Sequence, residues 1–116
     1  MKDNSKIEGY GGTLSNPDFN IFYNASTLII IYANAEGIYA QGDCCLAAQN
    51  LMLAAHGYGL GTCWIGFSLP LLSLPEVKQE LGIDPSFTPI ASLVVGYPEV
   101  LPKPTPRKEP NIIVWK

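Results

Sequence analysis

The chain has 116 residues, of which 47% are hydrophobic and only 15% charged, with a formal net charge of −3. Such a length supports one domain with a modest core, and its charge lies well below the ~25% of an ordinary soluble domain, so a partner subunit is expected to cover apolar surface. The acidic balance argues against a nucleic-acid partner, no apolar run reaches the ~20 residues of a membrane helix, and the start MKDNSKIEGYGG carries no signal core, so a cytoplasmic protein without membrane contact is expected.

Residues 1–18 are polar and glycine-rich and define no confident element, apart from a helical turn expected at Asp18 to Tyr23 after Pro17. STLIIIYA, Ser26 to Ala33, is a β-branched run without alternation, the pattern of a strand covered on both faces and central in its sheet. Asp43 is expected to cap a helix that runs through His56 and stops at Gly57. Apolar residues from Cys44 to Ala55 cover almost its whole circumference, so burial nearly all round is expected. Ala47, Ala48, Ala54 and Ala55 let another backbone approach closely, which suits a twofold crossing in a homodimer. Gln49 and Asn50 interrupt that surface; as buried amides they would bond to neighbouring backbone or meet a polar ligand.

TCWIG predicts a short strand, and LPLLSLPEVKQELGI a loop followed by a helix with Pro75 in its first turn and Gly82 at its end. PIASLVVGY, Pro89 to Tyr97, is a second all-apolar buried strand. Residues 98–110 carry Pro98, Pro102, Pro104, Pro106 and Pro110, an extended arm with a reach on the order of 35 Å. Residues 111–116, NIIVWK, form a strand-like tail whose edge would be left open on a monomer, and exchange with the partner's sheet is the expected solution.

The glycines of GYGLGTCWIG invite comparison with a phosphate loop, but such a loop needs strand, glycine turn, then helix, and here the helix comes first. Gly57, Gly59 and Gly61 are read instead as the helix stop and the turn into the next strand. Cys44, Cys45 and Cys63 show no ligand or disulfide spacing; they are small hydrophobes, or Cys63 is redox-active. His56, the only histidine, sits where an imidazole caps carbonyls. No acid–base or metal constellation is visible, so any chemistry must come from a cofactor. Arg107 beside Lys108 is the best local anion site, the alternative being a solvated surface pair.

Taken together, DCCLAAQNLMLAAHGYGLGTCWIG, LPEVKQELGI, PIASLVVGYP and PRKEP resemble the C-terminal part of the FMN-dependent nitroreductase family, from about Phe19 to the end. The resemblance implies an α+β nitroreductase-like fold over residues 19–116, a mixed sheet flanked by helices in an intertwined homodimer. It also implies FMN at the subunit interface, with the backbone of Trp64, Ile65 and Gly66 near the flavin ring and Arg107 with Lys108 on its phosphate. The family's chemistry has NAD(P)H as co-substrate and nitroaromatics, quinones or similar small molecules as acceptors. The family's opening Arg-x-Ser-x-Arg type motif has no counterpart before Phe19, so an N-terminally truncated member is implied. A non-catalytic dimeric remnant that no longer binds FMN unaided stays open as the alternative.

Overall fold

The structure, a computed structural model, describes residues 16–34 and 37–116; expectations placed on residues 1–15 lie outside the described residues. Three strands form one antiparallel sheet in the order β1-β3-β2, with β1 at Thr27–Ala33, β2 at Gly61–Trp64 and β3 at Thr88–Gly96. β1 was expected at the centre, yet among the described residues that place belongs to β3. The burial explains it: Ala91 to Val94 of β3 are all buried, whereas β1 is at most half-buried. A register shift between Ile31 and Tyr32 interrupts the β1–β3 ladder, which resumes with Tyr32 opposite Pro89 and Ala33 opposite Thr88.

The long helix α1, Ala40–Gly57, lies against this sheet. It begins three residues before the expected cap: Tyr39 takes the N-cap position without a side-chain bond, and Asp43 lies in the first turn, where a carboxylate favours the positive end of the helix dipole. Its other end is also shifted. The Gly59 N–H donates to the His56 carbonyl and the Leu60 N–H to the Ala55 carbonyl, both at 2.9 Å, a reciprocal closure that requires the left-handed φ of +75° found at Gly59. The stop is therefore Gly59, and Gly57 is still helical.

Only one side of α1 is covered. Ala48 and Ala55 are buried, and Ala48 joins Ala91 and Leu93 in a core flanked by Ile31, Leu51 and Met52. At 100° per residue Leu46 and Leu53 fall on the opposite side, and they are 67% and 61% exposed. Burial all round is thus not reached among the described residues, and Gln49 and Asn50 are exposed rather than buried.

Two short helices follow, α2 at Leu69–Leu72, where a loop was expected, and α3 at Pro75–Glu80. The latter starts on Pro75 and ends as predicted, with Gly82 at φ +69° and the Gly82 and Ile83 N–H groups returning to the Gln79 and Lys78 carbonyls. Asp18 to Tyr23 forms hydrogen-bonded turns rather than helix. Residues 99–116 are exposed without regular secondary structure, and the tail from Asn111 to Lys116 forms no strand within this chain.

Candidate functional site

The segment Trp64 to Gly66 leaves the sheet at the end of β2 and enters a 3-10 turn at Gly66–Ser68. Directly opposed residues of an antiparallel pair share a face, so Trp64, opposite Leu93, lies on the face that carries α1. Ile65 continues the ladder by one bond, its N–H donating to the Ser92 carbonyl at 2.8 Å. Its own carbonyl accepts twice, from the Ser68 N–H at 3.2 Å and from the Ser68 Oγ at 2.7 Å. Both polar groups of the Ile65 backbone are therefore engaged, and its side chain is buried.

That leaves the flanking residues to meet anything from outside. Trp64 keeps about a third of its surface open, at 36% exposure. Gly66 is exposed, and a Cβ built there would meet no atom within 4 Å. Its N–H stands in the first turn of a short helix, where no preceding carbonyl of that helix can accept it. A fixed hinge at Ile65 thus presents a half-open indole on one side and an unobstructed glycine on the other. Ser68 and Ser92 were not singled out from the sequence. The local signal for Ser68 is a serine four residues after the strand end, three after Ile65, where the hydroxyl bonds back to backbone. Ser92 acts through its carbonyl, which no residue type reveals.

Arg107 and Lys108 are exposed on the arm, and no ion pair or hydrogen bond among the described residues ties them to this segment. Trp64 to Gly66 and Arg107 with Lys108 thus lie on two separate segments of the chain. A cleft of about 790 Å³ lies at the opposite end of β2, between Leu60, Gly61 and Cys63 on one side and Pro98, Val100 and Pro102 on the other. His56 lines it as well, in the last turn of α1. The three cysteines are free thiols, Cys63 exposed, with its Sγ 3.8 Å from the Trp64 carbonyl oxygen. Among the described residues no group of three metal-ligating side chains occurs, and no helix is long and apolar enough to cross a membrane.

Similar proteins share this arrangement of strands and helices. A Bacteroides fragilis nitroreductase crystallised with bound FMN superimposes with a TM-score of 0.79 at 25% identity, over 100% of this chain and 63% of its own. A Desulfitobacterium hafniense nitroreductase with bound FMN, at 22% identity and a TM-score of 0.66, shares the fold over 93% of this chain and 58% of its own. A Bacillus subtilis FMN reductase (NADPH) is 38% identical over 65 residues, 56% of this chain and 25% of the relative. A Methanothermobacter thermautotrophicus protein named for NADH dehydrogenase/NAD(P)H nitroreductase is also 38% identical, over 63 residues, 53% of this chain and 32% of its own length. The chain thus spans a third or less of the length of these two curated relatives. The model of the nitroreductase family matches residues 5–97, starting nearer the N-terminus than Phe19 and stopping before the proline arm. With the fold of the FMN-bound enzymes and a family match over most of its length, this chain belongs to the nitroreductase family.

Proposed function

We propose that the chain acts as a homodimeric, FMN-dependent NAD(P)H oxidoreductase of nitroreductase type, with nitroaromatics, quinones or similar planar molecules as electron acceptors. The observation that carries this reading is the Trp64–Gly66 segment: a backbone locked at Ile65 beside an exposed glycine whose Cβ side is open, with no atom within 4 Å. FMN-bound solved relatives with the same fold support it.

The residues present fit the cofactor at that segment. Gly66 keeps the approach open and offers an N–H donor, Ile65 holds that donor in place, and Trp64 excludes water on the side facing α1. Arg107 and Lys108 supply two positive charges for a phosphate monoester, the guanidinium as a planar fork and the ammonium as a point charge. FMN held there would supply the hydride chemistry, so the task left to these residues would be binding, orientation and desolvation. Among the described residues no side chain beside Trp64 to Gly66 is placed as a general acid or base, which such a division of labour accommodates.

A second reading, a non-catalytic dimer that no longer binds FMN unaided, is favoured by one observation: among the described residues no hydrogen bond or ion pair links Arg107 or Lys108 to the Trp64–Gly66 segment. The absorbance spectrum of the purified chain separates the two. A flavin spectrum, or saturable uptake of added FMN, supports the oxidoreductase; colourless protein that takes up no FMN on titration removes it and leaves the second reading. NAD(P)H oxidation with a quinone acceptor then tests turnover.

A further inference from the structure

The arm that carries Arg107 and Lys108 is anchored at its root. β3 ends at Gly96, whose cross-strand partner is Gly61, and two residues later Pro98 packs onto that same Gly61. A Cβ built on Gly61 would stand 3.3 Å from the Pro98 Cβ and 3.7 Å from the Gly96 carbonyl oxygen. The missing side chain is what lets Pro98 sit against the start of β2, and a Cβ added at Gly61 would require Pro98 to give way by a few tenths of an ångström. Beyond this contact Val100, Leu101 and Pro102 run along the wall of the 790 Å³ cleft.

The prolines that follow carry a change of direction forward rather than absorbing it. Each ring of Pro102, Pro104 and Pro106 fixes its own φ and biases the preceding residue toward extended backbone. Arg107 lies nine positions beyond Pro98, a span of roughly 28 Å in extended conformation. A displacement of about 0.3 Å acting about 4 Å from the pivot turns a semi-rigid arm of that length by about 4°, which moves its far end by about 2 Å. A misplacement of ~1 Å already weakens a geometrically demanding polar contact severely.

We infer that Gly61, through its contact with Pro98, is a positioning residue for the Arg107–Lys108 anion site, so that the start of β2 determines where a phosphate monoester is held. This inference rests on the proposed role of Arg107 and Lys108 toward the FMN phosphate. Two variants of the full chain perturb the contact in opposite senses: Gly61→Ala crowds Pro98, and Pro98→Gly removes the ring and its Cβ. Each is expected to weaken FMN binding by about tenfold or more while leaving riboflavin, which lacks the phosphate, nearly unchanged. A general structural defect would weaken both flavins together.

A flavin-free readout accompanies the titrations: backbone amide NMR shifts in residues 103–109 should move in both variants. In the wild-type background, Arg107→Ala/Lys108→Ala should abolish the preference for FMN over riboflavin. If it does not, the phosphate assignment itself fails. If it does, yet a folded Gly61→Ala or Pro98→Gly protein keeps the wild-type ratio or an unmoved arm, the inference is overturned while the phosphate assignment stands.

Discussion

The proposed dimer makes a quantitative demand on the outer face of α1. Leu53 is 61% exposed there and lies one heptad from Leu46, on the side opposite the core residues Ala48 and Ala55. Full burial of a leucine stabilises by roughly 1.5–3 kcal/mol, so covering the open part of Leu53 contributes about 1–2 kcal/mol per subunit. A twofold axis counts it twice, about 2–4 kcal/mol for the dimer. Leu53→Glu removes that contribution and sets two like charges near the axis, so the dimer dissociation constant should rise by about 30- to 700-fold or more. Sedimentation velocity across a concentration series measures the shift, with far-UV circular dichroism to show that the helix, whose inner face is untouched, remains intact. A variant that stays dimeric at the wild-type concentration, or a wild-type chain that is monomeric throughout, would refute the assignment of this face to a second subunit.

Three further outcomes concern the chain itself. Gly59→Ala forces a side chain into the left-handed φ of +75° that closes α1, and chemical denaturation should show a loss of about 1–2 kcal/mol. Ser68→Ala removes the 2.7 Å bond to the Ile65 carbonyl at a buried site; an expected loss of about 1 kcal/mol should come with weaker flavin binding, and unchanged binding would show that the hinge does not depend on it. The buried Tyr32 hydroxyl has no hydrogen-bond partner among the described residues, so Tyr32→Phe should raise stability by about 1 kcal/mol; a destabilised variant would reveal a partner for that hydroxyl. Burial also pushes the Tyr32 phenol above its ordinary value of 10.0. The unfolded chain then gives up its proton first as pH rises, so this contribution is intact below pH 10 and is lost as pH climbs through the folded value. Equilibrium unfolding at rising alkaline pH should show that loss in the wild type and not in Tyr32→Phe.

Much of this protein could be read locally. Strand and helix order, Pro75 and Gly82 at the ends of α3, and the exclusion of a phosphate loop at the GYGLG segment all follow from residue types at short range, because caps, turns and apolar runs act within a few residues. The family resemblance was legible for the same reason, carried by contiguous motifs in a set order. What depended on tertiary structure is which residue of each motif bears the constraint. Gly57, Gly59 and Gly61 look alike in sequence, yet one is ordinary helix, one supplies the left-handed turn and one admits Pro98, and only backbone angles and a contact across 37 residues tell them apart. The same holds for Ile65, whose backbone is saturated by Ser68 and by the Ser92 carbonyl on the neighbouring strand. Composition could show that α1 is apolar all round, but only packing decided that this chain covers the Ala48 and Ala55 side and leaves Leu46 and Leu53 open, because burial is a property of neighbours distant in sequence.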